Sequence, residues 1–131
     1  MQSISRHITW LMLLTGVMTC SMFYAAFAPQ AALQSTFGDS IRGPVADIVV
    51  RNWGALIGLT GVLLVYGAYV PVHRSLILVI ASVSKLTFIG LVLTFGHQYL
   101  GKAGVVIGFD ALVVAIFAVY LASAGRAIQN R

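Results

Sequence analysis

Two ionisable side chains, Lys85 and Asp110, stand inside long apolar stretches of the sequence. An isolated charge at the bilayer centre costs about 2.5–3.5 kcal/mol on insertion scales, so such residues are rare and often mark ion, proton or headgroup sites. Lys85 lies about 15 Å from each end of its segment and Asp110 about 10 Å into the next one, at 1.5 Å per residue. Two such groups on neighbouring antiparallel helices can neutralise each other, so we predict an intramembrane Lys–Asp pair.

Three interpretations of this pair are open. It is a static salt bridge that sets the register of the helices, or it lies in a cavity and binds an ion, a proton or a polar headgroup. In the third, the two side chains do not meet and Lys85 extends towards the interface. Ser82, Ser84 and Thr87 flank Lys85 and are predicted to solvate it. Solvent access separates the first two, because a static bridge is dry and fully packed.

The segments that carry the pair belong to a set of apolar runs, each near the length of a membrane span. We predict four spans at about 8–28, 52–70, 75–95 and 103–124. A helix of about 20 residues crosses the hydrocarbon layer, and its backbone groups are satisfied within the helix. The first run is longer than the roughly 7–15 residues of a secretory signal, so we expect it to remain as a span. The predicted fold is an all-α integral membrane protein, an antiparallel four-helix bundle that forms one transmembrane domain.

The composition excludes several classes of protein. Hydrophobic residues make up 60% of the chain and charged residues 8%, against about 25% charged in soluble domains, so a water-soluble monomer is excluded. The chain has no glutamate, no pair of carboxylates on one span and no cluster of His and Cys, so we predict no catalytic residue, metal site or cofactor. The net charge of +5 comes from residues that flank the spans. This arrangement predicts contacts with lipid headgroups and none with nucleic acid.

The connections between the spans differ in length. Residues 29–51 are predicted to form a long outer loop with a turn at 37–44, and Pro44 suits the first position of a helix. Asp47 and Arg51 are predicted to form an exposed i,i+4 pair. Arg51 and Asn52, together with His97, are predicted either to cap the cavity at the outer end or to act as interfacial anchors.

Orientation follows from the Lys and Arg residues of short loops. The side of the termini carries four of them, Arg6, Arg74, Arg126 and Arg131, and the other side carries three, Arg42, Arg51 and Lys102. We therefore expect a cell inner-membrane protein with both termini in the cytoplasm.

Small residues recur at helical spacing on two spans. Gly54 and Gly58 lie on the second span, and the fourth carries Gly104, Gly108, Ala111 and Ala115. Membrane helices associate through such residues because these let the backbones approach closely. The stripes are predicted to make contacts within one bundle, or, on the fourth span, a homodimer contact. At 100° per residue, Asp110 points about 100–160° away from that stripe, so the fourth span is expected to have protein or water on two faces.

Met18 and Met22 share one face of the first span. Thioethers suit Cu(I), but methionines on an apolar helix usually serve as packing residues. We expect the packing role.

The predicted function is that of a small non-enzymatic membrane protein: a subunit, an assembly factor or a lipid- or quinone-binding bundle around Lys85 and Asp110. Its expected partners are the lipid bilayer and either a second copy or a larger membrane complex. The alternative is a small dimeric proton- or ion-coupled transporter that uses the same pair. In size and number of spans the chain is similar to the small multidrug-resistance exporters, which are dimers of four-helix chains. Their mechanism uses a glutamate in the first span, where this chain has no acidic residue.

Overall fold

Helices account for nearly all of the chain, as the apolar runs predict. A computed structural model describes residues 2–129, with the side chains of 6–125. The elements are α1 (Gln2–Cys20), a 3-10 turn (Ser21–Phe23), α2 (Tyr24–Phe27), α3 (Pro29–Phe37), α4 (Pro44–Tyr69), a 3-10 turn (Pro71–His73), α5 (Arg74–Phe95), a 3-10 turn (His97–Tyr99) and α6 (Leu100–Gln129). Residues 2–129 contain no strand. The prediction of an all-α membrane bundle is confirmed.

Four stretches are long and apolar enough to cross a membrane: Arg6–Phe27, Pro44–Tyr69, Pro71–Phe95 and His97–Gly125. Pro44 occupies the first turn of α4, where a missing N–H costs no hydrogen bond. The second span therefore begins well before the apolar run at residue 52. The turn Pro71–His73 joins α4 directly to α5, as the short connection predicts. The bundle has two ends. The helix α3 lies at one of them, the α3 end, and the start of α1 and the end of α6 lie at the other, the end near the termini.

Part of the predicted outer loop is a helix. In α3, Pro29 stands in the first turn and Gly38 ends the helix in the left-handed conformation, at φ 76°. Proline at the start and glycine just past the end are ordinary helix boundaries, and both were readable from the sequence. Ala32 and Leu33 are buried, so one face of α3 packs onto the bundle.

The close packing of α4 against α1 and the two short elements that follow it depends on glycine. A Cβ added to Gly61 would lie 2.5 Å from the backbone nitrogen of Cys20, and one added to Gly54 would lie 2.5 Å from the Cβ of Ala25. A Cβ on Gly58 would meet the ring of Phe23 at 2.6 Å. Gly54 and Gly58 thus lie against the continuation of α1, where a larger side chain has no room.

Two arginines contact the carboxyl ends of helices. Arg51 Nη1 donates to the carbonyl oxygen of Ala26 at 2.5 Å, and Asp47 instead accepts a hydrogen bond from Gln30 Nε2 at 2.9 Å. The predicted Asp47–Arg51 pair is therefore wrong, because the last carbonyls of α2 attract the guanidinium.

Arg74, counted above among loop charges, is buried. Its Nε donates to the carbonyl of Gly67 and its Nη2 to that of Ala68, at 3.2 and 2.9 Å. Nη2 also donates to Thr9 Oγ1 at 3.1 Å. Arg74 thus ties the end of α4 to α1. Arg131 lies outside the described residues, and Arg126 lies outside the described side chains.

Candidate functional site

Lys85 and Asp110 lie at the same level on adjacent antiparallel helices. Lys85 is ten residues before the end of α5 at Phe95, and Asp110 is ten residues after the start of α6 at Leu100. Both are therefore about 15 Å from the turn that joins the two helices. The apolar runs alone place Asp110 about 5 Å nearer the membrane surface than Lys85. The structure removes this difference in depth, because α6 begins at Leu100, three residues before the fourth apolar run.

The two side chains form an ion pair. Lys85 Nζ donates a hydrogen bond to Asp110 Oδ1, and the side chains are 11% and 12% exposed. This is the only ion pair among the described side chains. No other described group forms a hydrogen bond with Lys85 or Asp110. The remaining N–H groups of the ammonium and the second carboxylate oxygen thus have no partner within residues 6–125.

The three residues predicted to support Lys85 have different surroundings. Ser84 lines a cavity next to the pair. The hydroxyl of Ser82 is buried and has no hydrogen-bond partner in the described part of the chain. Thr87 is exposed and donates to the carbonyl of Val83, so it faces away from the bundle. None of the three hydroxyls solvates Lys85, because the carboxylate of Asp110 takes that place.

A cavity of about 380 Å³ extends from the pair towards the α3 end. This volume lies within the roughly 300–1,000 Å³ of small-molecule sites. Its walls are mainly apolar, with the charged pair as their most polar element. The lining residues are Met18, Thr19, Ser21, Met22, Thr36, Trp53, Ile57, Thr60, Ser84, Lys85, Phe88, Val105, Val106, Phe109 and Asp110.

The cavity opens sideways between α1 and α6. The lining side chains Met18 and Val105 are 49% and 82% exposed, and they belong to these two helices. Towards the termini the same helices are joined by one buried cluster that contains Met12 and Phe117. The seam between α1 and α6 is therefore packed in the half near the termini and open in the half near α3.

The α3 end of the cavity is covered by aromatic side chains. The ring of Phe37, at the end of α3, lies 6.2 Å from those of Trp53 and Phe88 and 5.6 Å from that of Tyr99, centroid to centroid. Thr36, its neighbour, lines the cavity. The short helix α3 therefore closes the cavity at the α3 end, where the ring of Phe37 lies between the walls formed by α4 and α5.

The predicted cap of Arg51, Asn52 and His97 is not this cover. None of the three lines the cavity. Arg51 binds the end of α2, and Asn52 and His97 are exposed. The aromatic cover was missed because it requires α3, which was predicted as loop.

The small-residue stripe of α6 faces outwards. A Cβ added to Gly104 or Gly108 would meet nothing within 4 Å, and Ala111 and Ala115 are exposed. The expectation that this stripe packs inside the bundle is wrong, because the inward face of α6 carries Ile107, Asp110 and Val113. A homodimer through the stripe stays a prediction.

Met18 and Met22 line the cavity instead of filling a core. Their four-residue spacing predicts that the two side chains share one face of the first span. It does not predict whether that face packs against another helix or lines a cavity. Among the described residues, no group of three or more His, Cys, Asp or Glu is placed to hold a metal ion.

Comparisons of the chain with models of known protein families, with curated proteins and with solved structures found no match.

Proposed function

We propose that this membrane protein binds a lipophilic small molecule that enters the cavity sideways from the bilayer. The observation that carries the proposal is the opening between α1 and α6 into an apolar cavity whose inner end is the Lys85–Asp110 pair. Small-molecule sites are typically concave and apolar with a few polar groups that orient the ligand. In this role the chain acts without catalysis, as a carrier or as a ligand-holding subunit of the inner membrane.

The predicted alternative, a coupled transporter, uses the same pair. A coupled ion needs a hydrated path, and the walls of this cavity are mainly apolar. That lining favours a lipophilic occupant over a hydrated ion, so the binding function is the better supported of the two.

Filling the cavity tests the proposal. A photoreactive adamantyl diazirine, an apolar probe without a headgroup, is added to the purified protein and the labelled peptides are mapped by mass spectrometry. We expect saturable labelling of the peptides that carry Met18, Met22, Val105 and Phe109, which line the cavity on α1 and α6 or the turn that follows α1. Ser84→Phe places a ring in the cavity and is expected to lower this labelling about tenfold, because tight packing leaves no space for the probe.

Thr87→Phe is the matched control, since Thr87 lies on the same helix but is exposed on the outer face. It is expected to leave the labelling unchanged. Equal, non-saturable labelling of the wild type and of Ser84→Phe would mean that the probe samples only the lipid-facing surface, and the proposal would be wrong.

A further inference from the structure

The charge of the site limits the kind of headgroup that it accepts. Lys85 and Asp110 together carry no net charge. They lie in apolar surroundings, about 15 Å from the connection between α5 and α6. A charged headgroup would leave the site with a net charge in a medium of low dielectric constant, which is strongly unfavourable. The pair therefore favours a ligand with a neutral polar head.

The pair also presents unused hydrogen-bonding groups side by side. A lysine ammonium has three N–H donors, and one of them is occupied by Asp110 Oδ1. The other donors, and Asp110 Oδ2, have no partner among the described residues. A neutral head with a carbonyl oxygen can accept from Lys85, and one with a hydroxyl can also donate to Asp110. A quinone carries the carbonyl oxygens, and its reduced form, the quinol, carries the hydroxyl groups.

The walls of the cavity suit a flat ring. Phe88 and Phe109 contribute aromatic rings from α5 and α6, and Trp53 contributes one from α4. Met18 and Met22 add two thioethers from the side of α1. Aromatic rings and methionine sulfur are groups that make favourable contacts with an aromatic or quinoid ring. A saturated alkyl chain has no π face for the ring contacts.

We infer that the ligand is a neutral lipophilic quinone or its quinol. This inference rests on the proposed function and names the ligand of the same cavity. The ring lies among the aromatic and methionine side chains, one ring oxygen accepts a hydrogen bond from Lys85 Nζ, and the tail leaves through the opening between α1 and α6.

The two tryptophans provide the test. Trp53 lines the cavity, whereas Trp10 is 65% exposed and does not line it. In the Trp10→Phe variant, decyl-benzoquinone is expected to quench the remaining Trp53 fluorescence saturably. In the Trp53→Phe variant, only linear collisional quenching of Trp10 is expected.

Competition tests the charge argument. Dodecanoate and dodecyltrimethylammonium carry a similar chain with an anionic or a cationic head, and neither is expected to displace the quinone at equal concentration. Displacement by either of them as effective as that by decyl-benzoquinol would overturn the inference.

A variant without the pair tests the polar contact. Lys85→Met combined with Asp110→Leu keeps the cavity apolar, and loss of the ammonium donor is expected to weaken decyl-benzoquinone binding about tenfold. The same variant should still be labelled by the adamantyl diazirine. Unchanged quinone affinity would overturn the inference and leave the proposed function standing, whereas a wild type that takes up neither probe would refute both.

Discussion

Lys85 and Asp110 depend on each other at the scale of single residues. Each ion pays a desolvation cost in the membrane interior, which their attraction and hydrogen bond offset. Both side chains are nearly buried, and among the described side chains each has the other as its only hydrogen-bond partner. Removing one partner therefore leaves an uncompensated charge. Removing both partners removes the desolvation cost of the two ions together with their attraction.

This dependence predicts the outcome of a double-mutant cycle. Lys85→Met alone and Asp110→Leu alone are each expected to destabilise the fold by about 3–5 kcal/mol, the range for breaking a buried pair. The double variant should recover most of that loss, because no unpaired charge remains. Unfolding by SDS, followed by circular dichroism, measures the three variants against the wild type. Additive losses in the double variant would show that the two residues do not stabilise each other.

At the scale of elements, the glycines of α4 and those of α6 have opposite roles. The glycines of α4 allow the backbone of α1 to come into contact, and those of α6 face open space. Close backbone approach is a main source of helix association in membranes, where no hydrophobic difference between lipid and side chain is available. The same sequence pattern therefore stabilises the fold on α4 and leaves a free surface on α6.

A pair of glycine substitutions separates these roles. Gly61→Ala is expected to lower the stability, because its Cβ would lie 2.5 Å from the nitrogen of Cys20 and 2.7 Å from the carbonyl oxygen of Gly16. Gly108→Ala meets nothing within 4 Å, so the monomer should be unaffected or slightly stabilised by the higher helix propensity of alanine. Thermal unfolding in detergent gives both midpoints. A similar decrease in the unfolding temperature of both variants would contradict the assignment of a packed face to α4 and an open face to α6.

At the scale of the whole molecule, the four spans place both termini on one side, and the sequence predicts that side to be the cytoplasm. The charge difference is small, with four Lys or Arg residues near the termini against three at the α3 end. Positive residues in short loops are retained on the cytoplasmic side. With this orientation, the opening between α1 and α6 faces the outer leaflet, so a ligand would enter from there.

Cysteine labelling measures this orientation. In a Cys20→Ala background, which removes the only cysteine, Ser40→Cys is expected to react with a membrane-impermeant maleimide in intact cells, since Ser40 is exposed at the α3 end. A cysteine added after Arg131 should react only after lysis. The background variant without cysteine is the control. Partial labelling of both positions in intact cells would indicate two orientations and would contradict a single cytoplasmic location of the termini.

The number of spans, and the presence of Lys85 and Asp110 within them, were readable from the sequence. Both follow from the length of an apolar run, which is a local property that each segment carries by itself. The helix boundaries of α3 were also encoded locally, in Pro29 and Gly38, although an apolar-run search does not detect so short a helix.

The cavity was decided only by the tertiary structure. Whether a stripe of small residues packs inwards, as on α4, or faces outwards, as on α6, depends on how each helix is rotated about its axis. That rotation is set by contacts between residues far apart in the chain, such as Gly61 with Cys20 and Phe37 with Phe88. A periodic pattern defines the faces of a helix, but only its neighbours determine which face is buried, and the space left between them forms the cavity.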